Sequence, residues 1–264
     1  MLTILILWTK LILSIKKYNM LNILIPIAGS SAFFPDTDHG YPKIFQEVLG
    51  KPMIQICIEN LMGLVGEKKF IFIVNEADVN KYRLDNVLKI LTDNNYEIII
   101  QKNPVKGAVC SILLATKFLN DESPILISNA DQIIDRDPNQ IMGFFNEGNI
   151  DGGVVCFDSV HPQWSYARLI NGNQIIETAE KQPISRNAIA GLYYFARGSE
   201  FIECAMDVIF KDRSYKGKYY TSCVLNEMVL KNKNLRALMI NSSEYHSFYS
   251  PEKIKEFEQR FKGV

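Results

Sequence analysis

The chain lacks the features that mark several protein classes. Its five cysteines, at 57, 110, 156, 204 and 223, form no CxxC pair and are odd in number, which argues against a zinc ribbon or a closed disulfide frame. Set mostly in apolar runs such as Gly153-Val154-Val155-Cys156-Phe157, they read as reduced core thiols of a cytosolic protein. Excess charge of one sign is also missing: 29 Lys+Arg stand against 29 Asp+Glu, with no local basic patch, so nucleic acid is not an expected partner. After residue 20 there is no repeat, no Gly/Ser linker and no shift in composition. What the chain does have is 264 residues, 47% of them apolar and 11% aromatic, enough for the core of one large α/β domain or two small ones.

Residues 1–19 stand apart. They are strongly apolar, but Lys10 interrupts them, the stretch is short for a membrane span, and Lys16 and Lys17 follow the apolar run instead of preceding it. They read as an extension ahead of a second possible start at Met20, with a membrane-surface helix as the competing reading and no stable membrane insertion expected. The remainder, 20–264, is taken as one domain with two functional halves, about 20–135 and about 136–264.

From Leu21 onward apolar runs alternate with helical spacing. Strands are expected at Leu21 to Ile27, Lys69 to Val74, Tyr96 to Gln101 and Pro124 to Ser128, with helices over Pro52 to Leu64, Asp78 to Thr92 and Ala108 to Leu119. Alternation of this kind predicts an α/β fold with a mostly parallel sheet flanked by helices. The second half predicts strands at Gly152 to Asp158, Ala167 to Ile170, Gln174 to Thr178 and Ile189 to Phe195, then a helix near Ser199 to Phe210. These are simplest as the antiparallel part of a mixed sheet, and functional residues are expected where strand ends meet loops.

Three segments carry chemistry. The loop after the first strand, Ala28-Gly29-Ser30-Ser31, offers a glycine that lets backbone N–H groups approach a phosphate, followed by two hydroxyls. It is neither a Walker A loop nor G-x-G-x-x-G, and an ordinary strand-to-helix turn is the competing reading. Tyr41-Pro42-Lys43 presents an ammonium about a dozen residues later, behind a proline of fixed φ. Asp131 follows the apolar strand Ile125-Leu126-Ile127-Ser128, and a hard carboxylate at a strand's C-terminal end suits Mg²⁺.

The order Ile23-Leu24-Ile25-Pro26-Ile27-Ala28-Gly29, Tyr41-Pro42-Lys43, Gly50-Lys51-Pro52-Met53-Ile54, Lys106-Gly107-Ala108, Asn129-Ala130-Asp131-Gln132, Glu180-Lys181 and Ala190-Gly191-Leu192-Tyr193 resembles the nucleotidylyltransferase superfamily, which makes nucleoside-diphosphate sugars from NTPs. The resemblance covers roughly Leu21 to Phe257 and implies a Rossmann-like, GT-A-type fold. It implies that Ala28, Gly29, Ser30 and Ser31, with Lys43, hold the triphosphate, that Gly107 and Ala108 border the nucleoside, and that Asp131 binds Mg²⁺. Glu180, Lys181 and Gly191 match acceptor-side positions. Lys181 also reads as a solvated cation, Glu180 as an exposed strand-end carboxylate, and Tyr219 and Tyr220, in a segment resembling the acceptor side, equally as packing aromatics.

The implied reaction is attack by an acceptor phosphate oxygen on the α-phosphorus of an NTP, with loss of pyrophosphate. Within the superfamily, Ala28-Gly29-Ser30-Ser31-Ala32-Phe33-Phe34 with Tyr41-Pro42-Lys43 resembles capsule-cluster members, including cytidylyltransferases that couple CTP to L-glutamine phosphate. That likeness implies CTP, glutamine phosphate and a cytoplasmic role in surface-polysaccharide biosynthesis. The sugar-1-phosphate nucleotidylyltransferase is the first alternative. A GT-A glycosyltransferase and an inactive nucleotide-binding relative are the others.

Two departures from the family pattern bear on mechanism. Ser31, Ala32 and Phe33 stand where the family's loop usually runs Gly, Ser or Thr, then Arg, so the loop arginine is missing and Lys43, Lys51 or Arg168 would have to carry more charge. Near the C-terminus, Ser247 stands where an Asp commonly supplies a second metal ligand. His246 beside it reads as an acceptor contact or as a packed histidine.

Overall fold

The computed structural model describes residues 20–29 and 41–262, without the side chains of Phe261 and Lys262. The expectations for residues 1–19 and for Ser30, Ser31, Ala32, Phe33 and Phe34 lie outside the described residues.

In chain order the first half comprises β1 (Leu21–Pro26), a 3-10 turn (Lys43–Phe45), β2 (Glu47–Val48), β3 (Lys51–Pro52), α1 (Met53–Met62), β4 (Lys68–Asn75), α2 (Glu76–Tyr82), α3 (Leu84–Leu91), β5 (Tyr96–Gln101), α4 (Ala108–Leu113), α5 (Thr116–Leu119) and β6 (Ile125–Ser128). It continues with β7 (Gln132–Ile134), α6 (Pro138–Asn146), β8 (Gly152–Asp158), β9 (Ser165–Ile170), β10 (Gln174–Glu180), β11 (Asn187–Phe195), α7 (Gly198–Phe210), α8 (Thr221–Leu230), β12 (Leu235–Met239), a 3-10 turn (Ser242–Glu244), β13 (Tyr245–Ser247) and α9 (Pro251–Lys262).

Nine of the strands form one sheet in the order β5-β4-β1-β6-β11-β8-β12-β10-β9. The parallel pairings join β5, β4, β1 and β6, and again β8 and β12, whereas β11 runs antiparallel to both β6 and β8. The sheet is therefore mixed, parallel on the side formed by the first half of the chain and largely antiparallel beyond β6.

Strand β1 shows why the parallel part forms. A strand covered by helices on both faces is mostly apolar, and Leu21, Ile23, Leu24 and Ile25 are all buried, with Asn22 the one buried polar residue among them. Successive side chains point to opposite faces: Ile23 and Ile25 join the cluster packed by α1, α3 and α6, while Leu24 joins the cluster packed by α4, α7 and α8.

Two expected helices are each divided. The stretch 78–92 is broken at Arg83, which takes the left-handed conformation at φ 51°. The break re-phases the chain so that Leu84 and Leu88 of α3 face the core, whereas α2 buries no residue. The stretch 108–119 is interrupted after α4, where the Thr116 hydroxyl donates to the Leu113 carbonyl at 2.6 Å and competes with helical pairing. Apart from the two 3-10 turns, eight elements carried no expectation: α6, α8, α9 and the strands β2, β3, β7, β12 and β13. The first has a readable start, since the Asp137 side chain caps it by accepting from the Asn139 N–H at 2.9 Å, with Pro138 behind it.

Candidate active site

Two strands of the parallel part bring the site together. Neighbours β1 and β6 pair in register, Leu24 opposite Ile127, so their C-terminal ends open on the same edge of the sheet. The chain leaving β1 passes through Ile27, whose N–H donates to the Ile73 carbonyl at 2.8 Å, then buried Ala28 and exposed Gly29. The chain leaving β6 passes through Asn129 and Ala130 to Asp131.

Across this edge the Lys43 ammonium donates to Oδ2 of Asp131 at 2.5 Å. The lysine side chain is 16% exposed and the carboxylate 29%, so the pair is partly withdrawn from water yet open to a ligand. Pro42, at φ −58° and ψ 148°, delivers the chain extended into the 3-10 turn that carries Lys43.

The turn bearing Asp131 is tied down residue by residue. The Cys57 thiol on α1 lies 3.0 Å from both the Ala130 and the Gln132 carbonyls, and the Phe248 N–H donates to the Asp131 carbonyl at 2.7 Å. Burial pushes the Cys57 thiol up to about 12, so it stays protonated as a donor. The Asn129 N–H donates to Gly191 O at 3.1 Å. Gly191 sits at φ 63°, and a Cβ there would fall 2.4 Å from both Asn129 Nδ2 and Gln132 Oε1. Only glycine fits this approach.

The residues flanking Gly107 pair through their backbones with Tyr219, far away in sequence. Tyr219 N–H donates to Lys106 O at 2.8 Å, and Val109 N–H donates to Tyr219 O at 3.1 Å. Gly107, at φ 100°, caps α4 just before Ala108, and a Cβ on it would meet the Tyr219 carbonyl oxygen at 2.5 Å.

Glu180, at the end of β10, is buried. Its Oε2 accepts from both the Ser165 and the Ser222 hydroxyls, the latter at 2.9 Å, and desolvation holds its carboxyl above the usual range despite these donors. Lys181 takes φ 54°, donates its N–H to Trp164 O at 3.0 Å, and holds its ammonium 5.4 Å from the centroid of the Tyr220 ring. The Tyr219 hydroxyl turns aside to Asp212 at 2.9 Å.

Of the three cations named as substitutes for the missing loop arginine, Lys43 is the one paired with Asp131. Lys51 is engaged by Glu59 at 2.8 Å and Arg168 by Glu177 at 2.7 Å. His246 is packed, its ring 4.8 Å from Phe257, and burial lowers its pKa. Cys57, Cys156 and Cys204 are buried free thiols, with Cys110 and Cys223 half-buried.

Among the described residues, no group of three or more His, Cys, Asp or Glu side chains is arranged to hold a metal. Ser247 lies opposite Gln132 in the β13–β7 pair and adds no carboxylate. The donor set therefore fits a Mg²⁺ ion anchored by one carboxylate, Asp131, with phosphate oxygens and water completing its shell. Among the same residues, no helix is long and apolar enough to cross a membrane.

The supporting groups Cys57 and Phe248 carried no functional signal in the sequence. Each acts through backbone contacts that exist only once distant segments meet.

The chain is 26% identical over 217 residues to the bifunctional protein GlmU of Aquifex aeolicus, a match covering 75% of this chain and 44% of that protein. It is 32% identical over 174 residues to a bifunctional sugar-1-phosphate nucleotidylyltransferase/acetyltransferase of Sulfurisphaera tokodaii, covering 63% and 38% respectively. The chain thus spans less than half the length of these curated relatives. Among solved structures, a nucleoside-diphosphate-sugar pyrophosphorylase from Vibrio cholerae RC9 superposes with a TM-score of 0.76 at 22% identity, over 90% of this chain and 99% of the other. A UDP-glucose pyrophosphorylase complexed with UDP-glucose gives 0.74 at 19% identity, over 92% and 99%. These two establish the shared fold. Residues 29–243 match the model of the nucleotidyl transferase family, and the chain belongs to that family.

Proposed function

We propose that the protein transfers a nucleoside monophosphate from an NTP to a sugar 1-phosphate, releasing pyrophosphate and forming a nucleoside-diphosphate sugar in the cytoplasm. The observation that carries this reading is the Lys43–Asp131 contact at 2.5 Å on the sheet edge where β1 and β6 end. The names of the curated relatives support the sugar phosphate as acceptor.

In this reaction an acceptor phosphate oxygen forms a bond to the α-phosphorus as the bond to the β-phosphate oxygen breaks, and the electron pair leaves with pyrophosphate. The attacking oxygen is already ionised, so no general base is required. Positioning and charge neutralisation carry the catalysis. Lys43 neutralises the triphosphate, Asp131 holds the metal, and Ala28, Gly29, Ser30 and Ser31 cradle the phosphates. A bound Mg²⁺ supplies further charge neutralisation to the phosphates.

Gly107 and Ala108 border the nucleoside, and Lys181, Gly191, Tyr219 and Tyr220 border the acceptor. Glu180 shapes the acceptor side through its two serine partners, since Oε2 is already engaged.

The test is pyrophosphate release with ATP, GTP, CTP, UTP and dTTP against hexose 1-phosphates, N-acetylglucosamine 1-phosphate and L-glutamine phosphate. Release with an NTP and a sugar 1-phosphate is expected. Silence across the panel overturns the proposal. The narrower pairing of CTP with L-glutamine phosphate, for a capsular polysaccharide, rests on the loop resemblance and is supported only by turnover in that arm alone.

A further inference from the structure

Helix α9 lies beyond the stretch that matches the family model, yet it reaches both arms of the Lys43–Asp131 pair. Its Ile254 and Phe257 are buried with Val48, Met53, Cys57 and Phe248 in a separate apolar cluster. The Phe257 ring stands edge-on to Phe248, centroids 5.1 Å apart.

On the Asp131 arm this cluster ties three successive carbonyls of the turn, those of Ala130, Asp131 and Gln132. Phe248 donates to Asp131 O at 2.7 Å, and Cys57 lies 3.0 Å from the two flanking carbonyls. On the Lys43 arm the chain runs from the 3-10 turn through Gln46, which accepts from Met53 N–H at 2.8 Å, into the β2–β3 hairpin. Val48 of that hairpin is fully buried in the same cluster, and the N–H of Leu49, held at φ 52°, donates to Glu258 Oε1 at 3.0 Å.

We propose that α9 is a positioning element for the pair: Phe257, through Phe248, sets the Asp131 arm, and Glu258, through the hairpin, sets the Lys43 arm. Neither side chain is in contact with the pair itself. A close-packed cluster transmits displacement instead of absorbing it, so loosening α9 shifts two groups whose mutual placement the reaction needs. This rests on the function proposed above for Lys43 and Asp131.

The test compares Phe257→Ala, Phe257→Leu, Glu258→Ala and Glu258→Gln in the full chain, by steady-state kinetics and hydrogen exchange. For Phe257→Ala, kcat is expected to fall about 10- to 100-fold, as a small misplacement of reacting groups does, with both KM values within about twofold of the parent. Phe257→Leu and Glu258→Gln restore most of the rate lost in the alanine variants. Amide exchange should quicken at residues 43–49 and 128–134 but not in β1 or β4. Faster exchange confined to α9, or an unchanged kcat despite a lower Tm, overturns the proposal. If Phe257→Ala does not fold, Phe257→Leu and Glu258→Ala carry the same comparison. If the parent chain releases no pyrophosphate while exchange still quickens in both arms, the proposed function fails and the mechanical coupling stands.

Discussion

Lys43 and Asp131, 88 residues apart, meet with the ammonium 2.5 Å from Oδ2. One residue comes from the loop system after β1 and the other from the turn after β6, and parallel pairing of these two strands is what makes them neighbours. Without ligand, the carboxylate offsets the lysine charge. On the function proposed above, a bound triphosphate and its metal would compete for both groups.

Removing either member should abolish most turnover while leaving the fold intact. Lys43→Met and Asp131→Asn are each expected to lower kcat by about 10²- to 10³-fold, the scale of losing one preorganised electrostatic group. The double variant should lose less than the product of the two, because the residues act as a unit. Pyrophosphate-release kinetics with circular dichroism as the folding control check this, and parent-like rates in both single variants refute the site.

Gly107→Ala tests the junction between the Gly107 turn and the Tyr219 segment, proposed above to border the nucleoside and the acceptor. The new Cβ would lie 2.5 Å from the Tyr219 carbonyl oxygen and 2.7 Å from its nitrogen, at a φ of 100°. Strain of this kind costs about 1–3 kcal/mol. Thermal unfolding should show that loss together with weaker NTP binding, because the Lys106–Tyr219 and Val109–Tyr219 bonds must move.

Glu180 makes a pH-dependent prediction. Desolvation raises its carboxyl above the usual range in the folded chain, so the native state holds the proton more tightly than the unfolded state. Stability contributed by this residue therefore falls as pH rises from the ordinary carboxylate range through the raised folded value. Glu180→Gln keeps the shape, is neutral, and should remove that fall, giving a Tm at neutral pH equal to or above the parent's. Parallel Tm-versus-pH curves for the two proteins would count against it.

Glu244 predicts the opposite slope. The Arg136 guanidinium, contacting both carboxylate oxygens at 2.8 and 3.0 Å, holds its carboxyl below the usual range, with help from the Asn241 N–H. Its contribution is present above the unfolded carboxylate pKa and is lost as pH falls through the depressed folded value. Arg136→Met should cost about 1 kcal/mol at neutral pH, as expected for a partly exposed pair of good geometry. It should also flatten the acid limb of the stability curve, as seen in urea titrations across pH.

The elements legible in the sequence were those with strong local patterns. Strands β5 and β8 occupy the expected residues, because runs such as Tyr-Glu-Ile-Ile-Ile-Gln have one secondary structure that suits them. Helices α8 and α9 were not legible. In α8, buried Thr221, Ser222 and Glu227 break the apolar periodicity, and their burial makes sense only beside Glu180 and Lys211. Strand β12 is five residues that gain their place by inserting between β8 and β10.

The site divides in the same way. Residue type and position nominated Lys43 and Asp131, an ammonium behind a proline and a hard carboxylate after an apolar strand, whereas Gly107 and Gly191 entered only through the resemblance to the nucleotidylyltransferase pattern. Folding was needed to show that Lys43, and neither Lys51 nor Arg168, faces Asp131, that Glu180 is turned into a pair of serine hydroxyls, and that Cys57 and Phe248 hold the turn bearing Asp131. Those outcomes depend on contacts between segments as many as 117 residues apart, such as Phe248 with Asp131. Local sequence encodes chemistry and the periodicity of single elements. Which of several eligible charges becomes a partner is settled by the packing of the whole sheet, where desolvation and distance select one pair among those that composition allows.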